Sequence, residues 1–228
     1  MPPPSTGARD LRPLELPSRM AATDALFWYA ESVLPEFRPI IAGLYVLDRA
    51  PDPGLIEVGA EAALALVPRL RQRVVDAPLQ LGLPEWVADE HFDRSYHLRH
   101  LSLPAPGTQR QLLDLVATLF ATPLDRQRPL WESYWIDGLE GGRSAYFFKT
   151  HHSVVDGVGS VAILEALTAA DPNEPPPRVL RGRQRRRAEA RSLGARLASL
   201  GREQVAGSMA VARRALVAHF EDLSHPRA

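Results

Sequence analysis

The stretch that decides the fold runs from Trp131 to Gly157 and ends in His151-His152-Ser153-Val154-Val155-Asp156-Gly157. Two aromatic-rich runs lead into it, Trp131 to Ile136 and Ser144 to Thr150, separated by Asp137-Gly138-Leu139-Glu140-Gly141-Gly142. Runs of this kind around a glycine-rich turn predict a β-hairpin, which delivers the two histidines to a sheet edge. Gly157 to Ala169 then carries Val158, Val161, Ile163, Leu164 and Leu167 at helical spacing. The histidines therefore occupy a strand-to-helix corner.

Side chains alternate across a strand, so only one of the two histidines faces a given cleft and the other packs as a hydrogen-bonded core residue. A histidine at a strand end, with one ring nitrogen bonded to the protein, keeps the other free to take a proton from a hydroxyl. That pattern suggests an acyl-transfer site with His152 as the candidate general base and His151 in support. Transfer from a thioester to an alcohol also needs stabilisation of the oxyanion, and the first turn of a helix starting near Gly157 offers free N–H groups. Asp156 reads as a helix cap or as an architectural partner of a buried arginine, and Gly157 as a residue that allows an unusual backbone angle. No metal site is expected, because adjacent strand histidines diverge and no cysteine or third histidine stands at a ligand spacing. His91, His97 and His100 read as surface residues.

Outward from this corner, the 228 residues are 45% hydrophobic and 24% charged, enough for one ordinary domain or two small lobes. The absence of cysteine excludes disulfides, thiolate metal sites and a cysteine nucleophile. No apolar run approaches the roughly 18 residues that span a bilayer, and Met1-Pro2-Pro3-Pro4-Ser5 lacks the features of a secretory signal. The expectation is a cytoplasmic protein, soluble or peripheral at a membrane. The zero net charge hides a division, since residues 1–177 hold 15 basic and 23 acidic side chains and residues 178–228 hold 12 and 4. Lys149 is the only lysine.

Residues 1–19 are rich in proline and read as disordered. Thr23-Asp24 reads as the cap of a helix from Ala25 to Ser32, Ile40 to Leu47 as a buried strand, and Pro53 as the start of a helix carrying Ile56, Ala60, Ala63, Leu64 and Val67. Short strands follow near Arg73 to Val75 and Tyr96 to Leu103. An amphipathic helix spans Gln109 to Ala121 with Leu112, Leu113, Val116, Leu119 and Phe120 on its apolar side. The prolines between Asp171 and Pro177 set a boundary near Pro172. The domain reading is then a lobe over 20–172, a Pro/Arg-rich linker over 173–187 and a helical tail over 188–228.

Further segments fall in a telling order. His151 to Gly157 resembles the HHxxxDG signature of the bacterial wax ester synthase/acyl-CoA:diacylglycerol acyltransferase family. Pro123-Leu124-Asp125-Arg126-Gln127-Arg128-Pro129-Leu130-Trp131-Glu132 resembles its PLDRxRPLWE segment, and Val67-Pro68-Arg69-Leu70-Arg71-Gln72-Arg73 and Thr23-Asp24-Ala25-Leu26-Phe27 also match its pattern. HHxxxDG alone is shared with chloramphenicol acetyltransferase, carnitine acyltransferases and peptide-synthetase condensation domains, whereas the upstream segment is far more particular.

The resemblance implies a chloramphenicol acetyltransferase-like α/β fold: a mixed β-sheet with packed helices, here one of two similar lobes that enclose a tunnel. It also implies that His152 is the base and that Asp156 supports the site through an arginine, with Arg71 the first candidate and Arg128 the second. The substrates would be a long-chain acyl-CoA and a diacylglycerol or fatty alcohol, with no separate cofactor. The resemblance covers roughly residues 20 to 172, one lobe only, and a missing second lobe would forfeit orientation worth several kcal/mol of barrier. A truncated or split enzyme, completed by a lobe in trans or by homodimerisation, is the first reading. The alternative is a noncatalytic protein that binds a membrane or lipid-droplet surface through the six arginines from Arg178 to Arg187 and the apolar stripe behind them. That segment reads first, ahead of the membrane role, as a solvated linker helix that connects lobes in longer relatives. Nucleic acid is not expected as a partner, because few aromatics accompany the arginines.

Overall fold

The computed structural model describes residues 10–34, 36–77, 82–154 and 178–179. In chain order the elements are β1 (Asp10–Leu11), α1 (Ala22–Val33), β2 (Ile40–Leu47), α2 (Pro53–Leu66), β3 (Gln72–Val75), β4 (Glu85–Ala88), α3 (Arg94–His97), β5 (Leu98–Ser102), α4 (Gln109–Ala121), β6 (Trp131–Leu139), β7 (Arg143–His151) and β8 (Arg178–Val179). A 3-10 turn over Pro68–Arg71 joins α2 to β3.

Local chemistry sets the helix limits. Asp52 caps α2 by accepting from Gly54 N at 2.7 Å, with Pro53 in the first turn, where its missing N–H costs nothing. Thr108 and Gln111 form a reciprocal capping box on α4. Helix α1 departs from expectation: it begins at Ala22 behind Ala21, with no side-chain cap, so Thr23 and Asp24 lie inside its first turn and Asp24 is free to point elsewhere. It ends at Leu34, whose φ/ψ of −124°/89° suits the residue ahead of a proline.

The main sheet has the order β2-β7-β6-β5, with β2/β7 and β6/β7 antiparallel and β5/β6 parallel. The hairpin of β6 and β7 is therefore its centre, and the histidines leave the end of an interior strand rather than an edge strand. Among the described strands β2, expected to be buried, is an edge: none of its residues is fully buried, and Tyr45 and Val46 are exposed. Gly43 lets β2 cross close to its neighbour, since a Cβ there would stand 2.6 Å from Phe148 Cε1. The segment expected as a strand from Tyr96 starts as α3 and becomes strand only at Leu98. Strands β3 and β4 form a separate antiparallel pair.

Two cores hold the layers together. Leu112 of α4 packs on Tyr134, Ile136, Ala145 and Phe147, one face of the hairpin. On α4 the partly buried neighbours are Leu115, Val116 and Leu119, whereas Leu113 and Phe120, read as core-facing, are exposed. The second core gathers Met20 and Trp28 with Leu64, Leu66, Leu70, Trp86 and Leu130. Residues 10–19, read as disordered, are tied to this core: Leu14 N donates to Leu66 O, Arg69 Nη2 to Pro17 O and Trp86 N to Ser18 O, while Asp10–Leu11 pairs in parallel with Arg178–Val179. The rest of the expected linker and tail, and the expected helix after Gly157, lie outside the described residues.

Candidate active site

Strand β7 places Ala145, Phe147, Lys149 and His151 on one face by simple alternation, and all four are buried. The backbone of the histidine pair is held from both sides. His151 N donates to Leu130 O at 3.0 Å and His152 N to Pro39 O at 2.7 Å, so the residues just ahead of β6 and β2 fix the corner.

His151 is 1% exposed, and its Nδ1 accepts from Ser153 N at 3.1 Å with the Ser153 hydroxyl 2.7 Å away. An Nδ1 that accepts a backbone N–H puts the ring proton of the neutral imidazole on Nε2. That atom faces Glu31 Oε2 at 3.6 Å. Burial pushes the His151 pKa down to about 4, and Arg126 and His152 add to the shift, so the contact with Glu31 is not an ion pair near neutral pH. Burial in turn raises the Glu31 carboxyl, partly offset by Arg126 and Arg38. His152 turns the other way. Its side chain is 45% exposed, its ring lies edge-on to Phe27 at 4.8 Å, and its Nδ1 is 3.5 Å from Asp24 Oδ1. The two histidines thus divide as alternation predicts, one packed and one open.

The site roles of the groups around the pair were missed from sequence, although Asp24, Phe27 and Arg126 stand in segments that carry the resemblance. Helix α1 presents Asp24, Phe27, Trp28 and Glu31 at i, i+3, i+4 and i+7, one stripe against both imidazoles. Arg126 locks that stripe: its Nη1 is 3.0 Å from Glu31, its Nη2 donates to Trp28 O at 3.0 Å, and the guanidinium lies 3.5 Å from the centre of the Trp28 ring. The stripe's spacing was the available signal, but it stands more than a hundred residues from the histidines it meets.

Arg71 and Arg128, the two candidates for the Asp156 partner, are engaged elsewhere among the described residues. Arg71 is 3.5 Å from Glu61 and lies over Phe92, and Arg128 is 3.3 Å from Asp125 and lies over Tyr96. Asp156 and Gly157 lie outside the described residues. Among those, no group of three or more His, Asp or Glu side chains is placed to hold a metal ion.

His97, read as a surface residue, is fully buried. Its ring is stacked between Phe92 at 5.2 Å and Trp131 at 4.7 Å, and its Nδ1–H donates to Trp131 O at 2.7 Å. Trp131 Nε1 donates to Leu70 O, which ties the two upstream segments to each other directly behind the histidine corner. His91 and His100 are exposed as expected.

This architecture is similar to solved lobes of one α/β class. A starter condensation domain of rhizomide synthetase in complex with C8-CoA aligns over 65% of this chain and 33% of its own, with a TM-score of 0.54 and 19% identity, a likeness of fold alone. The wax ester synthase/diacylglycerol acyltransferase from Marinobacter aquaeolei VT8 aligns over 69% of this chain and 41% of its own, with a TM-score of 0.56 and 31% identity. The expected acyltransferase-type mixed α/β lobe is therefore the fold. Residues 20–225 match the wax ester synthase/diacylglycerol acyltransferase catalytic domain, and the chain belongs to that family. The match runs well past Pro172, where the resemblance was expected to stop. A Mycobacterium tuberculosis relative named "Probable diacyglycerol O-acyltransferase tgs3" is 39% identical over 164 residues, 70% of this chain and 59% of its own. A further relative from that organism is 36% identical over 172 residues, only 34% of its length. The chain thus spans between a third and three fifths of these curated relatives.

Proposed function

We propose that the chain carries the base-bearing lobe of an O-acyltransferase that moves a long-chain acyl group from acyl-CoA to the hydroxyl of a diacylglycerol or fatty alcohol. The observation that carries the reading is the division of the histidine pair. His151 is buried, its Nδ1 accepting from Ser153 N and its Nε2 3.6 Å from Glu31, and His152 is half-exposed at the same corner. His152 Nε2 takes the hydroxyl proton while the acceptor oxygen forms its bond to the thioester carbonyl carbon. The tetrahedral oxyanion then collapses, the carbon–sulfur bond breaks, and the proton passes to the leaving thiolate to give free CoA and an ester. Phe27 lies against His152 and stacks on the exposed Phe37, so the rim on that side of His152 is apolar, which suits a lipid acceptor.

Acyl-CoA and a lipid alcohol are the proposed substrates, with a second lobe, from another chain or another copy, as the opposite wall. Peripheral contact with a membrane or lipid droplet belongs to the same proposal; among the described residues no helix is long and apolar enough to cross a bilayer. The test is thiol release from palmitoyl-CoA with dioleoylglycerol or hexadecanol present, comparing the chain with His152→Ala. Acceptor-dependent release that disappears in the variant is expected. Equal release from both proteins would overturn the base assignment. No release from a folded chain, together with salt-sensitive flotation on anionic vesicles, would favour the lipid-surface role instead.

A further inference from the structure

We propose that Asp24 is a positioning residue for His152, its carboxylate holding the imidazole as the Nδ1–H tautomer so that Nε2 stays free to receive a proton. The inference rests on the reading of His152 as the base. Helix α1 supplies one carboxylate to each histidine from a single face, Glu31 to His151 and Asp24 to His152, seven residues apart. The two pairings fix opposite tautomers. Ser153 N occupies Nδ1 of His151, so the proton of that ring points from Nε2 towards Glu31 and no lone pair is left for a substrate. At His152 the carboxylate meets Nδ1 instead.

That Nδ1 is buried and makes no hydrogen bond among the described residues, and Asp24 Oδ1 stands 3.5 Å from it. Closing by about half an ångström gives an ordinary N–H···O bond. The neighbours leave little other freedom. Phe27 lies edge-on to the ring and Pro39 O holds the backbone N–H, so the imidazole turns only about its own side-chain bonds. Which nitrogen carries the proton is set by the bond the other makes. A free imidazole in water favours Nε2–H, and without Asp24 the nitrogen needed as base is the protonated one.

The experiment uses the full ¹⁵N-labelled chain as wild type, Asp24→Ala and Asp24→Asn, with the His152 ring signals identified by their loss in His152→Gln. Long-range ¹⁵N–¹H spectra report the tautomer of each ring. Nδ1–H is expected in wild type and in Asp24→Asn, whose amide oxygen still accepts, and Nε2–H in Asp24→Ala. In the thiol-release assay kcat for Asp24→Ala should fall roughly 10- to 100-fold, part of the 10²–10⁴ that a positioned base supplies, with KM for acyl-CoA unchanged and partial rescue by Asn. A His152 tautomer that does not change in Asp24→Ala overturns the proposal. So does an equal loss of kcat in both variants with the wild-type tautomer kept, which marks Asp24 as a helix-end acid only. If wild type releases no thiol, the catalytic reading fails while the spectra still decide what Asp24 does to the ring.

Discussion

Replacing Lys149 with methionine should be among the most damaging single changes in the fold. Lys149 is fully buried two residues before His151, and each of its three N–H donors has a partner. Nζ donates to Leu119 O and Thr122 O at 2.8 Å, at the C-terminal end of α4, and is 3.1 Å from Glu132 Oε2. The ammonium therefore ends one helix and neutralises a carboxylate on the adjacent strand. Methionine keeps the length and apolar volume but leaves Glu132 with the Tyr134 hydroxyl at 2.6 Å and Arg99 at 3.6 Å, and strips two helix carbonyls of their donor. Removing one partner of a buried pair costs about 3–5 kcal/mol, which at roughly 3 °C per kcal/mol lowers the melting temperature by about 10 °C. The double variant Lys149→Met/Glu132→Leu removes both charges, and at least half of the loss should return. Urea denaturation of the four proteins measures the cycle. A loss below about 1 kcal/mol for the single variant, or a double variant worse than either single, would refute the account.

Stability should also depend on pH through His151. Its pKa falls from 6.5 in the unfolded chain to about 4 in the fold, so between those values the unfolded chain binds more protons. The contribution is complete above about pH 6.5, is lost as pH falls towards 4, and amounts to roughly 3 kcal/mol. His97, also lowered by burial, has the same sign, and Glu31, raised by burial, opposes it. Urea melts between pH 7.5 and 4.5 should show a flatter slope in His151→Asn than in wild type, and parallel slopes would exclude His151 as the source. Arg126→Lys should cost about 1–2 kcal/mol, because an ammonium cannot bridge Glu31 and Trp28 O while lying flat on the Trp28 ring; a thermal melt unchanged from wild type would contradict this.

Local signals made most elements legible. Helices α2 and α4 and strand β2 lie where Pro53, the amphipathic run Gln109–Ala121 and the apolar run Ile40–Leu47 place them. The errors share a cause, which is that sequence periodicity reports what a segment buries and not what stands opposite it. Strand β2 looked buried because its residues are apolar, yet among the described strands it is an edge. His97 looked exposed because its neighbours are Arg94 and Arg99, yet two aromatic rings enclose it. The histidine motif announced itself, while its carboxylates did not, since Asp24 and Glu31 are separated from it by more than a hundred residues and only the packing of α1 brings them together. That distance also shapes the functional argument. Among the described residues, Asp24, Phe27, Trp28, Glu31 and Ser153 meet the two imidazoles and Pro39 and Leu130 hold their backbone, all within this lobe. A second lobe would then complete the substrate path without being needed to build the base, so the tautomers of His151 and His152 should be the same whether or not a second lobe is supplied.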